Sequence, residues 1–337
     1  MINFLVLLLK HLCLISHIDL KHYFNLALVI LFLIYGCGRL GKEVQKEIII
    51  FHAGSLSVPF RELKSEYEKL NPDVDILLEA AGSLVCARKI TELKKPCDII
   101  ASADYFVINE LLIPDYTGWS VRFATNEIVI AYNDNSRYAS EISSMNWMDV
   151  LQKNDVIYSR SDPDKDPCGY RTVFSLMLAE KYYKSKGLAD RLQEKNKDFI
   201  RPKEVDLVAL LETNAIDYMF QYKSVAMQHR FKYVELPDEI NLSDPSRKEN
   251  YGSVSTIVTG SKPGTIMKVT GDYINYSISV LDKAPNRDEA IHFLSFILGS
   301  HGKEIFTKNG QDPLVPFVSD QPDMVPSKLR KFFTGQL

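Results

Sequence analysis

Two Gly-Ser-Leu segments are the residues of this sequence best suited to hold a small anion. Gly54-Ser55-Leu56 and Gly82-Ser83-Leu84 each follow an apolar run typical of a strand and each precede a helical pattern. Glycine lets a ligand approach the backbone, serine offers a hydroxyl, and the first turn of a helix has unpaired N–H groups. Serine is also a common helix N-cap, and one such segment alone is more often a cap than a ligand contact. With two such segments one βα unit apart, an N-cap role and an anion-binding role are about equally expected.

A third segment whose residues could bind a ligand or react is Asp166-Pro167-Cys168-Gly169, directly before a long amphipathic pattern. Taken alone, Asp166 is expected to be an N-cap, and Pro167 can shape the loop but has no N–H to donate. Glu204 begins a second, shorter helical pattern, where an acid is expected to offset the helix dipole. Cys168 at a helix N-terminus is expected to have a lowered thiol pKa and is therefore a candidate nucleophile.

The elements that must position these residues predict an α/β chain. Predicted strands lie at 47–51, 74–79, 97–102, 127–132, 218–221, 232–236 and 271–281, and predicted helices at 60–70, 83–94, 169–184, 204–212 and 286–299. The opening order β-α-β-α-β implies parallel strands, so the Gly-Ser segments should meet at the carboxyl edge of a sheet, where ligands bind. Two sheet regions without a clean linker suggest that the chain crosses between domains more than once.

Composition limits the function further. The 337 residues are 46% apolar and 25% charged, with 40 basic and 43 acidic side chains and a net charge of −3, so a nucleic-acid binder is disfavoured. There is no CxxC, HExxH or Cys/His cluster, which disfavours a zinc site or a redox dithiol. Spacing leaves open whether two of Cys86, Cys97 and Cys168 form a disulfide.

The N-terminal segment 1–36 is predicted to be an export signal or membrane anchor. Residues 23–36 form a short apolar run with a basic flank, and they end at Ile34-Tyr35-Gly36-Cys37, which resembles a lipobox. We expect an extracytoplasmic protein held at the outer face of the cell membrane through a lipid on Cys37. A plain anchor or a cleaved signal with an incidental cysteine is the alternative, and the true start of the chain is left open.

An ordered series of segments spanning residues 47 to about 318 resembles the archaeal tungstate- and molybdate-binding proteins of ABC importers. The segments are Phe51–Leu56, Ala80–Ser83, Asp98–Tyr105, Phe123–Glu127, Asp166–Arg171, Arg201–Asp206, Tyr222–Ala226, Ala284–Arg287 and Asn309–Gln311. The resemblance implies a two-lobed type II periplasmic binding protein fold, each lobe a mixed, mainly parallel sheet flanked by helices. It implies a first lobe at 45–126 plus 275–337, a second lobe at 127–274, and a ligand in the cleft between them.

Carried over by position, the resemblance implies an oxyanion site of eight residues. These are Gly54, Ser55 and Ser83 from the first lobe, and Asp166, Pro167, Cys168, Glu204 and Tyr222 from the second. Asp166 and Glu204 would approach the metal atom itself and give it six-fold coordination. A carboxylate beside a dianion is otherwise repelled, unless it donates to an electron-poor W(VI) or Mo(VI) atom or is protonated.

The expected function is therefore that of a monomeric substrate-binding lipoprotein that captures tungstate and molybdate. It would deliver the ion to the permease and ATPase of an ABC importer, with no catalytic residues and no cofactor. The alternatives are a binding protein for another oxyanion or for Fe(III), and an extracytoplasmic enzyme that depends on Cys168. The sequence does not give the preference between tungstate and molybdate.

Overall fold

The computed structural model describes residues 46–260 and 264–333. The predicted leader 1–36 and the lipobox cysteine Cys37 lie outside the described residues. Among the described residues, no helix has the length and apolarity needed to cross a membrane.

The secondary structure alternates strands and helices over most of its length. The strands of the described residues are β1 (Lys46–Ala53), β2 (Val74–Ala81), β3 (Ile99–Ser102), β4 (Val121–Thr125), β5 (Ile128–Tyr132), β6 (Tyr158–Ser159), β7 (Tyr218–Tyr222), β8 (Lys232–Glu235), β9 (Ser255–Thr259), β10 (Ile266–Thr270), β11 (Asn275–Val280) and β12 (Asp312–Val318). The α-helices are α1 (Ser57–Leu70), α2 (Ser83–Thr91), α3 (Tyr105–Leu111), α4 (Trp147–Gln152), α5 (Pro167–Tyr182), α6 (Leu188–Glu194), α7 (Asp206–Glu212), α8 (Lys223–Gln228), α9 (Asp238–Asn241), α10 (Lys248–Tyr251), α11 (Arg287–Leu298), α12 (Ser300–Lys308) and α13 (Ser327–Arg330).

The strands form two main sheets and a hairpin. The six-stranded sheet has the order β12-β4-β11-β3-β1-β2, the four-stranded sheet has the order β6-β7-β5-β8, and β9 and β10 pair separately. As predicted, β1 runs parallel to both β2 and β3. Both sheets are mixed, as expected. The sheets were expected to be mainly parallel, but they contain more antiparallel strand pairs than expected. Strands β11, β4 and β12 join the large sheet antiparallel, and β5 pairs antiparallel with β7 and β8.

The chain passes between the two sheets at Asn126 and Glu127, which separate β4 from β5. The Asn126 amide donates to the Ser224 hydroxyl at 2.7 Å and to the Tyr276 hydroxyl at 3.2 Å. Ser224 lies on α8, after the four-stranded sheet, whereas Tyr276 lies on β11 of the six-stranded sheet. This buried polar junction therefore ties the crossover to elements of both sheets.

The predicted elements are all present, with shifted ends. Helix α5 begins at Pro167 rather than at 169, because Pro is tolerated at the first helical position. The helix predicted from Glu204 begins instead at Asp206, so Glu204 precedes it and does not serve as a first-turn acid. Strand β12 was not predicted. Pro313 and Pro316 disfavour a central strand, but β12 is an edge strand, where proline is accommodated.

Candidate functional site

Asp166 and Glu204 are in direct contact. The Asp166 side chain caps α5 by accepting the Cys168 N–H at Oδ1 (3.2 Å), and its Oδ2 accepts the Glu204 N–H (2.7 Å). Asp166 is 1% exposed and Glu204 is completely buried. The expected N-cap role of Asp166 is therefore confirmed, but the same carboxylate also fixes the position of a second acid that is distant in sequence.

The two carboxylates are unequally satisfied. Asp166 accepts two main-chain N–H groups, whereas neither carboxylate oxygen of Glu204 receives a hydrogen bond from the described residues. Burial, and then the charge of Asp166, raise the pKa of Glu204 well above its usual range. Burial also raises the pKa of Asp166. A buried carboxyl without a partner is an unusual feature that calls for a proton or a ligand.

The Glu204 carboxyl lies against the backbone at Gly54, which follows β1 of the other sheet. A Cβ atom on Gly54 would lie 2.9 Å from Oε1 of Glu204 and 3.1 Å from Oε2. The close approach of side chains from a distant part of the chain therefore leaves little room for a Cβ atom at Gly54. This contact brings the first Gly-Ser segment next to the pair of acids.

Gly82, in the second Gly-Ser segment, likewise lies close to a distant part of the chain. A Cβ atom there would lie 2.3 Å from the carbonyl oxygen of Lys165, the residue before Asp166. The next residue, Ser83, is the first residue of α2, and its hydroxyl oxygen accepts the Ala103 N–H at 3.0 Å. All three predicted segments thus meet at the carboxyl ends of β1, β2 and β3.

Neither serine is a side-chain cap. Ser55 lies in a single 3₁₀ turn, Gly54–Leu56, and its buried hydroxyl accepts a 2.9 Å hydrogen bond from the Tyr276 hydroxyl. The helices that begin at Ser57 and Ser83 have no side-chain cap hydrogen bond. Both hydroxyls are held by neighbouring elements rather than by their own helices, which removes the competing N-cap interpretation.

Tyr222, at the end of β7, is also completely buried, and its hydroxyl accepts a hydrogen bond from Arg171 at 2.9 Å. Arg171 also donates to the Ala103 carbonyl at 2.6 Å and pairs with the Asp104 carboxylate at 3.1 Å. Burial by itself would lower the pKa of the guanidinium, but the nearby charge of Asp104 outweighs this effect. The pKa of Arg171 is therefore raised, and the group stays fully protonated. Arg171 therefore connects Tyr222 to the loop that follows β3 of the other sheet.

Arg171, Tyr276 and Asp104 were not predicted as site residues. A signal was present for Arg171, which lies three residues before Phe174 and seven before Leu178, both buried on α5. A charged side chain on the apolar face of a helix needs a partner. For Tyr276 there was no such signal, because an aromatic residue in a buried strand is ordinary core composition.

Cys168 does not have the lowered pKa that its position suggested. It is completely buried, and burial, followed by the nearby charges of Asp166 and Glu204, raises the pKa of its thiol well above the usual value. The expected effect of the helix N-terminus is outweighed because desolvation penalises the thiolate. Cys86, Cys97 and Cys168 are all free thiols. Pro167 is buried at the first position of α5, as its lack of an N–H allows.

Comparison with known proteins gives the family. Residues 48–311 match the model of the family described as bacterial extracellular solute-binding protein. A solute-binding protein of Petrotoga mobilis is 43% identical over 320 residues, 94% of this chain and 99% of that protein. The molybdate/tungstate-binding protein WtpA of Pyrococcus abyssi is 45% identical over 326 residues, 87% of this chain and 93% of that protein.

Among solved structures, the periplasmic molybdate-binding protein of Azotobacter vinelandii aligns with a TM-score of 0.56 at 14% identity. The alignment covers 80% of this chain and 99% of that one. This similarity confirms the two-lobed type II periplasmic binding protein fold that was expected from the sequence. The chain belongs to the bacterial extracellular solute-binding protein family, and this membership confirms the expectation of a binding protein rather than an enzyme.

Proposed function

We propose that this protein captures tungstate and molybdate outside the cell and delivers them to the permease and ATPase of an ABC importer. The supporting observation is the pair of buried acids, in which the Glu204 carboxylate receives no hydrogen bond from the described residues. A carboxylate oxygen can bind the electron-poor metal of a heavy oxyanion, and sulfur in sulfate cannot expand its coordination in the same way. The name of the Pyrococcus relative gives independent support for this ligand class.

In this proposal the oxygens of the anion contact Gly54, Ser55 and Ser83 from one side, and Cys168 and Tyr222 from the other. Pro167 shapes the loop between Asp166 and Cys168. The two carboxylates would approach the metal, so that the oxyanion is the cargo and no resident cofactor is needed. Such a division of roles turns a general anion site into one that selects group-6 oxyanions.

The ligand would lie in a cleft between a first lobe at 45–126 plus 275–337 and a second lobe at 127–274. All strands of the six-stranded sheet come from the first of these two parts of the chain, and all strands of the four-stranded sheet come from the second. Because contacts come from both sides, binding should close the lobes by hinge motion around the crossover at Asn126. Attachment to the outer face of the cell membrane through a lipid on Cys37 belongs to the same proposal.

Isothermal titration of the purified protein with tungstate, molybdate, sulfate and phosphate tests this function. We expect one site per chain for tungstate or molybdate, and sulfate binding at least about 100-fold weaker. Comparable weak binding to all four anions would contradict the proposal. Elemental analysis of protein purified from tungstate-supplemented medium should find tungsten, whereas iron in its place would support the Fe(III) alternative.

A further inference from the structure

The three hydroxyl groups of the candidate site share one hydrogen-bonding pattern: each oxygen accepts a hydrogen bond from the protein. Ser55 accepts from the Tyr276 hydroxyl, Ser83 accepts from the Ala103 N–H, and Tyr222 accepts from Arg171. The three distances are 2.9, 3.0 and 2.9 Å. No hydrogen bond within the described part of the chain uses the proton of any of these three hydroxyls.

The direction of these bonds follows from the chemistry of the donors. A backbone N–H and a guanidinium can only donate, so the Ser83 and Tyr222 oxygens must accept. A tyrosine hydroxyl can do either, but the Asn126 amide donates to Tyr276 at 3.2 Å. The Asn126 carbonyl oxygen accepts the Glu127 N–H at 2.9 Å, which fixes the orientation of that amide. The Asn126 NH₂ group can only donate, so among the described residues the Ser55 oxygen is the acceptor that the Tyr276 proton reaches.

We propose that Tyr276 and Arg171 are positioning residues that direct the protons of Ser55 and Tyr222 toward the bound oxyanion. A hydroxyl whose oxygen already accepts a hydrogen bond is set up to donate its own proton to an anion that offers only acceptors. Neither Tyr276 nor Arg171 needs to touch the ligand in this arrangement. The inference rests on the proposed function, because it assumes that the site holds an oxyanion.

The hydroxyl of Tyr276 can be removed without removing its packing. Its ring lies 5.9 Å from the Tyr222 ring and 6.2 Å from the Phe123 ring, and phenylalanine would keep both contacts. The matched control is Tyr251→Phe, which removes another buried tyrosine hydroxyl; that hydroxyl donates to the Asp238 carbonyl. Asp238 is not a candidate ligand.

A double-mutant cycle tests the inference on the full protein. We expect Ser55→Ala and Tyr276→Phe each to weaken tungstate binding by about 10-fold. If Tyr276 acts through Ser55, adding Tyr276→Phe to Ser55→Ala should weaken binding by less than about 2-fold more. Losses that multiply to about 100-fold would show that Tyr276 acts independently and would overturn the inference. Tyr251→Phe should leave binding unchanged.

A second cycle pairs Arg171→Lys with Tyr222→Phe. Lysine keeps a positive charge but has a single nitrogen, so it cannot pair with Asp104 through one nitrogen while another donates to Ala103 and Tyr222, as arginine does. We expect Arg171→Lys to weaken tungstate binding by about 10-fold in the wild-type background, and by less than about 2-fold after Tyr222→Phe. If Arg171→Lys does not fold, Arg171→Gln takes its place in this cycle, with the same expected losses in the wild-type and Tyr222→Phe backgrounds.

The failure of this inference is distinguishable from the failure of the proposed function. A wild-type protein that binds none of tungstate, molybdate, sulfate and phosphate would overturn both. If wild type binds one of the four tightly, both cycles are run with that anion, and independent losses would overturn only the positioning roles of Tyr276 and Arg171.

Discussion

The main-chain N–H of Glu204 donates to Oδ2 of Asp166 at 2.7 Å, across 38 residues of sequence. This bond, together with the cap on Cys168 N, makes Asp166 the better satisfied of the two acids and therefore the one better suited to carry a charge. Glu204, whose carboxylate oxygens receive no hydrogen bond from the part of the chain that the structure describes, is better suited to hold the proton when no ligand is bound. The site therefore contains two acids with different roles.

Glu204→Gln should weaken tungstate binding by about 100-fold or more while changing sulfate binding by less than about 3-fold. An amide oxygen is a much poorer ligand for a high-valent metal than a carboxylate oxygen, and sulfate does not use this ligand. Titration calorimetry with both anions measures the effect, with exposed Glu249→Gln as the control. Because glutamine keeps an N–H donor, unchanged tungstate binding would instead indicate that Glu204 acts as a protonated hydrogen-bond donor.

The ligand-free protein should lose stability as the pH rises above the ordinary range of a carboxyl group. Since the native pKa of Glu204 is raised from 4.5, the native state keeps a proton that the unfolded chain releases. Stability therefore falls with rising pH between the unfolded and the native pKa. Thermal melts from pH 4.5 to 8 should show a flatter pH dependence for Glu204→Gln, and a higher Tm than wild type at pH 7. The same slope in both proteins would contradict the assignment.

Gly82→Ala should weaken ligand binding by at least about 10-fold without unfolding the protein. The added methyl group would lie 2.3 Å from the Lys165 carbonyl oxygen, so the two loops would have to separate. Any residue can adopt the backbone conformation of Gly82 (φ −59°, ψ 142°), so the expected effect comes from the steric clash alone. Gly118→Ala is the matched control, because its methyl would meet the flexible end of Met324 at 3.0 Å. Equal affinities for the two variants would count against close approach of these loops in the bound state.

Arg88→Met should accelerate ligand dissociation by about 10-fold and leave the ratio of tungstate to sulfate affinity unchanged. Arg88, on α2, donates to the Asp164 carbonyl at 2.8 Å and to the Thr259 carbonyl at 2.7 Å. These acceptors belong to the loop before α5 and to β9, and the Asp164 side chain in turn accepts the Thr259 N–H at 2.7 Å. Arg88 thus holds elements on opposite sides of the site together without touching a candidate ligand.

Stopped-flow dissociation measures this effect, with exposed Arg61→Met on α1 as the control. A change in the tungstate-to-sulfate ratio would mean that Arg88 shapes the site itself, contrary to the expectation.

The Gly-Ser segments and the β-α-β-α-β opening could be predicted because strand and helix periodicity and parallel pairing are local or nearly local properties. The same reasoning predicted that these segments would meet at one sheet edge, and they do. The contacts of Gly54 with Glu204 and of Gly82 with Lys165 could not be derived from periodicity. They depend on how the two sheets pack relative to each other, and short-range sequence patterns do not determine this packing.

The order of the outer strands could not be predicted either, because β12 contains two prolines and enters the sheet beside β4 from the far end of the chain. Similarly, the pKa of Cys168 was predicted in the wrong direction. A helix N-terminus is visible in the sequence, but the complete burial that outweighs it depends on tertiary packing.

Cys168 should resist alkylation in the native protein, because its thiol is completely buried and its pKa is raised well above the usual value. Burial also raises the pKa of Cys86 to about 12, so that thiol should behave in the same way. Iodoacetamide at pH 7.5, followed by mass spectrometry, should label both residues in denatured protein and neither in native protein. Cys168→Ser should retain tungstate binding to within about 3-fold, since serine is close to cysteine in size and keeps the main-chain N–H that donates to Asp166. Rapid native labelling of Cys168, with loss of binding in the serine variant, would instead favour a thiolate with a chemical role.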